Sequence, residues 1–556
     1  MRIRSLGTRF AIPCVAVGVI LAGCSDTAAP PPGSAVVGTT SDINPHDVAD
    51  LRDGGTLRLP LSGFPQTFNF LQIDGGNSDT ADVIDSILPS PYTADAAGVL
   101  TVNENYFSSI ELTGTNPQQV TYTINPKAVW SDGTPITWED LRSQANALSG
   151  ADPAYLVSSR SGFDKVAAVE RGVDDRQAVV TFRENYGQWQ GQFSPLYPKA
   201  TTESAAAFND RDRDNLAYSA GPFQIASIDR SQNRITLSRN PKWWGPAPKL
   251  DAIVYSVLDA SAWLPAIQNN ELDRAYMSGL ENVTAAKQAA GVVLRRTPEP
   301  TWSHMTFNGA PGSLLEDPEL RIALSKAIDR QGIVNAAQNG IVEHPRPLNN
   351  HVFVNGQKGF QDNAAPITFD PDAAARMLDE LGWKLEGDVR VKDGKRLELR
   401  NVMYQQDQWV QTAQILQQNL ARVGVKVNIQ TIPGSGLFKN VIDPGNFEIA
   451  NFTWSGSTLP IGALRQIYYY DPNDLQGNKA RIGSPELNAL IEQTIAEVNP
   501  DKAIELANKC DKMIWEEGYS VPLHQASGTY AVRADLANFG AFGLASIDYT
   551  KVGFLK

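Results

Sequence analysis

Only three of the 556 residues are cysteine, at positions 14, 24 and 510. Three thiols cannot build the disulfide framework of a small secreted domain, so a chain this long must rest on an apolar core. Basic residues are also short, with 48 Lys and Arg against 61 Asp and Glu and a formal net charge of −13. That balance excludes the basic footprint that phosphate backbones require and argues against nucleic acid as a partner. Histidine occurs five times, at 46, 304, 344, 351 and 524, and only His344 and His351 are near neighbours. Structural histidines explain that scatter better than a metal site does, and none is expected. No Gly-x-Ser-x-Gly, His-Glu-x-x-His, Walker or dinucleotide-binding glycine pattern occurs. The many carboxylates carry no catalytic signal by number alone. After residue 21 no run approaches the apolar length of a membrane span, and no short repeat points to a solenoid.

What is present begins at the N-terminus. Arg2, Arg4 and Arg9 precede an apolar run from Phe10 to Leu21, the charged and apolar regions of an export signal. The following Leu21-Ala22-Gly23-Cys24 resembles the bacterial lipobox, in which the cysteine is lipidated and becomes the first mature residue. The alternative is an ordinary secretory signal in which Cys24 is incidental. Removing residues 1–23 takes three Arg and no acid, leaving 45 basic against 61 acidic residues, a net of −16. Cys14 departs with the signal and Cys24 carries lipid, so Cys510 is left alone and no intrachain disulfide is expected. Cys510 falls with Ile504, Ala507 and Ile514 at helical spacing, which predicts a buried small side chain rather than a reactive thiol. Residues 24–54 contain Ala-Ala-Pro-Pro-Pro-Gly-Ser and few large apolar residues, and read as a tether.

The length allows about three domains. Thr56-Leu57-Arg58-Leu59-Pro60-Leu61 alternates like a strand and empties into a loop with Gly63, Phe64 and Pro65. Gln119 to Ile124 reads as another strand, and Thr137 is placed to cap a helix from Trp138 with Asp140 at its third position. Trp130 and Trp138 read as core anchors. Asp317-Pro318 and Asp370-Pro371 each put a capping side chain before a proline at the first helical position, and Pro485 and Pro500 open two later helices in the same way. Trp409, Ala413, Leu416, Leu420 and Val423 form an apolar stripe that Gly424 ends, and Val425, Val427 and Ile429 then alternate as a strand. Helix followed directly by strand is α/β grammar.

The run Val129-Trp130-Ser131-Asp132-Gly133-Thr134-Pro135-Ile136-Thr137-Trp138-Glu139-Asp140 resembles a signature of the extracellular solute-binding proteins, family 5, that serve peptide and nickel ABC transporters. Ala220-Gly221-Pro222-Phe223, Ile235 to Asn240 with Trp243 and Trp244, Asn270-Glu271-Leu272-Asp273 and Arg321 to Arg330 are similar to further motifs of that family and extend the resemblance over nearly the whole mature chain. The resemblance implies a two-lobed periplasmic-binding-protein-like α/β fold of type II, with ligand in the interlobe cleft. On that pattern residues 55–76, 217–297 and 525–556 form the main part of lobe I, 77–216 an inserted subdomain and 298–524 lobe II. It implies no enzyme and no cofactor. The expected ligand is a short peptide, and the expected partners are an ABC permease with its ATPase subunits and the membrane, reached through Cys24. The protein is expected as a monomer on the outer face of the cytoplasmic membrane. Haem, a nickel complex or an oligosaccharide are alternative ligands in the same class, and a secreted hydrolase or a structural envelope lipoprotein are readings from other classes.

A receptor tolerant of peptide sequence should pair with the peptide backbone and leave side chains roomy, hydrated pockets. Two stretches suit this. The loop with Phe64 and Gln66 faces the cleft in the family. Thr453-Trp454-Ser455-Gly456-Ser457 is polar and small around one Trp, which the resemblance makes an aromatic wall. Peptide-binding relatives commonly place an Asp three residues after that Trp to hold the ligand's ammonium, whereas this chain has Ser457. Either Asp471 or Asp474 takes the ammonium, or the ligand lacks one. Trp302, Asn308 and Tyr404 are further candidates, each near the end of an expected strand. The tethering reading is testable at once: a Cys24→Ala protein should leave the membrane fraction for the medium, and its retention on membranes would contradict lipidation at Cys24.

Overall fold

Thr56–Leu61 buries every second residue, as a strand covered on one face must. It pairs in parallel with Ala252–Val257, and Arg234–Arg239 and Phe223–Asp229 follow antiparallel to complete a four-stranded sheet. The computed structural model describes residues 40–160, 162–433 and 436–556, so the signal peptide, Cys24 and the first part of the tether lie outside the described residues. Beside this sheet stands a second one of three strands, Arg274–Tyr276, Thr529–Arg533 and Val292–Arg296. Asp273 joins the two: fully buried, it accepts from the Arg58 main-chain N–H at 2.7 Å and from Arg58 Nε and Nη2 at 3.0 and 2.6 Å, with Arg533 Nη1 at 3.5 Å.

Between the first strand and Phe223 lies an antiparallel sheet in the order Phe107–Thr115, Gln118–Ile124, Gln177–Phe182, Val166–Arg171. The helix Trp138–Leu148 packs on it, and Asp140 accepts from the Thr137 N–H at 2.8 Å as the expected cap. Trp130 is buried, and Trp138 is half-buried under the Arg142 guanidinium.

A five-stranded sheet organises the other lobe, in the order Lys426–Ile432, Glu398–Tyr404, Ile449–Trp454, Trp302–Phe307, Ser520–Gln525. The first three strands run parallel and the last two antiparallel to their neighbours. Helices Pro318–Lys326, Pro371–Glu380, Pro485–Ala496 and Pro500–Glu516 begin at the expected prolines, with Asp317, Asp370, Ser484 and Asn499 accepting from first-turn amides. Gly424 takes φ +78° after the helix Asp407–Ala421 and turns the chain into its strand. Cys510 is buried, 3.4 Å from the Thr494 hydroxyl, and burial pushes its thiol up to about 11. Among the described residues no helix is long and apolar enough to cross a membrane.

The chain crosses between the lobes at residues 297–301 and 526–528, and the two crossings pair with each other. Thr297 N–H donates to Gly528 O at 3.3 Å, Glu299 N–H to Ala526 O at 3.2 Å and Ala526 N–H to Thr301 O at 2.8 Å. At Gly528, with φ +57°, a Cβ would lie 1.8 Å from the Thr297 carbonyl oxygen, so only glycine permits this approach.

One expectation needs correction. The tether does not run to residue 54, because the chain is bound from residue 40 onward. Asp42 exchanges main-chain hydrogen bonds with Ala541 and its carboxylate accepts from Arg295 Nη1 and Arg296 N–H, both at 3.0 Å. Leu51 is buried and bridges to Leu555. Segments held mainly by polar and main-chain pairing to a distant part of the chain leave little apolar signal in their own sequence. Asp273→Asn should destabilise the protein by about 3 kcal/mol, because a buried carboxylate that balances two guanidinium groups is lost; urea denaturation measures it, and a change below about 1 kcal/mol would deny Asp273 its role in joining the sheets.

Candidate functional site: the interlobe cleft

Two connected chambers mark the cleft, a larger one between the lobes and a smaller one walled by lobe I and the first crossing. The larger, of about 870 Å³, has Asp85, Tyr92, Arg160 and Lys165 on one side, Ser455, Ser457, Leu459 and Arg465 on the other, and residues 546–550 at its inner end. The smaller, of about 480 Å³, lies at the crossings and is lined by Asp79, Asp82, Arg274, Glu299, Pro300 and Tyr530. Asp85, Ser546, Ile547 and Tyr549 line both, so the chambers meet there. Each volume falls in the range of about 300–1,000 Å³ common for small-ligand pockets.

The inserted subdomain reaches the far lobe and closes the larger chamber at its outer edge. Gly187 N–H donates to Ile495 O at 2.7 Å, and Lys165 pairs with Glu184 of its own subdomain and with Glu492 at 3.5 Å across the cleft. Glu492 is held in turn by Arg465 at 2.7 Å.

Ser455 and Ser457 line the larger chamber. They follow the strand Ile449–Trp454, whose register with Trp302–Phe307 ends at the pair Trp302–Trp454. Ser457 is fixed by its carbonyl, which accepts from Gln357 Nε2 at 2.9 Å. Gly456 lies against the first crossing, where a Cβ would come within 2.3 Å of the Pro300 carbonyl oxygen.

The other expected residues lie outside the linings of both chambers. Trp454 is half-buried, stacked 5.9 Å from the His304 ring and edge-on to Phe452 at 5.3 Å. Thr453 is exposed one position before it, its hydroxyl 3.5 Å from that of Ser303. Trp302 is buried with Leu348, Val354 and Leu544. Phe64 packs under Arg230, whose guanidinium carbon is 4.6 Å from the ring centroid, and Gln66 is exposed on the same loop. Asn308 stands at the opposite end of its strand from Trp302 and spends its amide on Gly445 O and Phe447 O, each at 3.0 Å. Tyr404 packs half-buried against Phe438. Asp471 and Asp474, the expected partners for an ammonium, bond within their own turn, to Asn473 N–H at 2.9 Å and Gln476 Nε2 at 3.2 Å.

The charged groups that do face the smaller chamber were not singled out by the sequence. Asp79, Asp82 and Asp85 recur every third residue along the helix Ser78–Ile84 and its C-cap, and that spacing on one helical face was the available signal. Asp79 accepts from Ser62 and Gly63 N–H at 2.8 and 3.1 Å. Asp85 accepts from the Tyr549 hydroxyl, and Glu299 from that of Tyr530. Asp82 and Asp85 keep exposed surface within a chamber that opens to solvent, although protein packs closely around them. Desolvation by that surrounding protein raises Asp82 to about 7 against the pull of Arg274, and raises Asp85 to about 6 against its bond from Tyr549. Burial likewise raises Glu299, although Tyr530 and Arg274 oppose it.

Comparison with known proteins agrees with this architecture. The profile of the bacterial extracellular solute-binding proteins, family 5, matches residues 108–476. The chain belongs to this family. Family 5 proteins are non-enzymatic binding proteins of two-lobed α/β fold, and so is this one. It is 50% identical over 549 residues to the oligopeptide-binding protein OppA of Mycobacterium tuberculosis, covering 97% of this chain and 92% of that protein. Among solved structures, a periplasmic EDTA-binding protein, EppA, superposes with a TM-score of 0.86 at 24% identity, covering 94% of this chain and 99% of its own. The oligopeptide-binding protein AppA of Bacillus subtilis, in complex with a nonapeptide, superposes with a TM-score of 0.79 at 18% identity, covering 91% and 100%. These two likenesses establish the fold. Gly456→Ala should cost about 1–3 kcal/mol by overpacking against Pro300, read as a lowered melting temperature; an unchanged melt would show that the 455–457 segment is free to move away from the crossing.

Proposed function

We propose that this protein captures short peptides between its lobes and delivers them to an ABC importer. The observation that carries the reading is the larger chamber lined by both lobes, joined to a smaller one in lobe I, with the small polar residues 455–457 continuing a strand beyond its last paired position. A peptide backbone has a donor and an acceptor at every residue, and a strand end that projects into a cavity can pair with it without reading side chains. The name of the mycobacterial relative at 50% identity supports the same ligand class. Ser455 and Ser457 are the proposed lobe II contacts. Trp454 is the proposed support behind them, since its ring is committed to His304 and Phe452.

The protein is proposed to work as a monomer held at the outer face of the cytoplasmic membrane by lipid on Cys24. Two or more acyl chains are what stable anchoring requires. Its lobes open and close about the paired crossings, and a ligand favours the closed form only by its differential affinity for it. Native mass spectrometry of freshly purified protein should show retained peptides, and calorimetry on the stripped protein should show saturable binding of tri- to pentapeptides. A ligand-free spectrum together with no heat from any peptide would overturn the reading, and a shifted Soret band on haem addition would replace it with haem.

A further inference from the structure

Among the described residues, the lining of the smaller chamber carries an excess of negative charge. Its lining holds four carboxylates, Asp79, Asp82, Asp85 and Glu299, and one guanidinium, Arg274. Arg274 is already engaged: its Nε donates to Gly540 O at 2.7 Å, and its guanidinium carbon lies 3.7 Å from the Tyr530 ring centroid and 5.1 Å from that of Phe539. Three of the acids have donors, namely the Ser62 and Gly63 amides, the Tyr549 hydroxyl and the Tyr530 hydroxyl. Among the described residues none donates to the Asp82 carboxylate, whose exposed side chain lines the chamber. The other polar groups around it are hydroxyls: Tyr255 from its strand, whose hydroxyl donates to Asp82 O at 2.7 Å, Tyr276 from the second sheet and Tyr549 from the C-terminal segment.

This arrangement is costly to the empty protein. Like charges at helical spacing repel, and Asp85 sits at a helix C-terminus, where the helix dipole disfavours an anion. A cation entering the chamber would relieve both costs and supply the donor that Asp82 lacks. The chamber joins the larger one at Asp85, so a ligand lying along residues 455–457 can place one end there. We infer that the acidic chamber at the crossings seats the ligand's ammonium group, with Asp82 as its direct partner and Asp85 as the second carboxylate. The inference rests on the peptide reading above and locates the ammonium in lobe I, away from Ser457, Asp471 and Asp474. An α-ammonium and a lysine side chain share this chemistry.

The raised acids make the consequence measurable. Near pH 6.5 Asp82 and Asp85 are partly protonated in the empty chamber, and a bound cation favours their charged forms. Binding should therefore release protons, and affinity should rise as pH rises through about 6 to 7. Tetra-alanine, its N-acetylated form and an N-acetylated tetrapeptide beginning with lysine serve as probes in calorimetry on the full mature chain. Tetra-alanine should bind wild type with proton release, seen as a dependence of heat on buffer ionisation at pH 6.5. Its affinity should fall about ten- to a hundredfold on acetylation or on Asp82→Asn, since a charge-assisted bond is lost in either case, and the two losses should not add. Recovery with the acetylated lysine peptide would assign the seat to any alkylammonium, and no recovery would restrict it to the α-ammonium; both support the chamber. Undiminished binding by a folded Asp82→Asn protein, or an acetylation penalty of equal size in both proteins, would overturn the assignment while leaving the peptide reading intact. Should Asp82→Asn fail to fold, wild-type binding without proton release would overturn it alone. Absence of binding by every peptide to wild type would sink the parent reading together with this one.

Discussion

The structure depends on the main-chain pairing of its two crossings. Thr297 and Glu299 on one strand and Ala526 and Gly528 on the other meet through N–H···O=C bonds, and Gln525 Nε2 adds a side-chain bond to Glu299 O at 2.8 Å. Lobe II thereby begins and ends at one narrow neck. Main-chain pairing tolerates small changes of φ and ψ on either side, which suits the neck to the proposed hinge. The same neck places Glu299, Pro300 and Tyr530 around the smaller chamber. The proposed hinge thus contributes Glu299 to the most acidic wall of the cavity.

The two ends of the cleft differ in their electrostatics. At the crossings Asp79, Asp82, Asp85 and Glu299 share one wall with a single guanidinium, Arg274. At the outer edge the opposite logic holds, because Lys165 and Glu492 attract across the gap and Gly187 bonds to Ile495. Attraction thus joins the rim while like charge gathers at the crossings, where the positive end of the proposed ligand would offset it. The excess of acidic residues over the whole chain acts in the same direction on approaching cations.

Helices were legible wherever capping and periodicity coincided. Asp317, Asp370, Ser484 and Asn499 stand one residue before prolines, and each accepts the amide bond that this position offers. The alternation of Thr56–Leu61 and the stripe from Trp409 to Leu420 were equally plain, because burial on one face is a local pattern. The tether's end was misread since Asp42 and Leu51 pair with Ala541 and Leu555, far away at the other end of the chain. Sequence spacing contains no record of such partners.

The binding site divides the same way. Position after a strand brought Ser455 and Ser457 into view, and they do line the cavity, whereas Asn308 shares their polarity but stands at the wrong end of its sheet. Trp454 looked like a free aromatic wall until His304, from the neighbouring strand, was seen stacked on it. By itself the sequence determined the compartment signal, the α/β class, the helix starts and the family, because each rests on local chemistry or contiguous motifs. Only the tertiary structure decided which polar residues face the cleft, because a side chain's solvent exposure and charge state depend on what folds around it. Asp82 was one carboxylate among 61 acidic residues in the sequence and became distinctive only when the fold set it in one chamber wall beside three others, with no donor among the described residues.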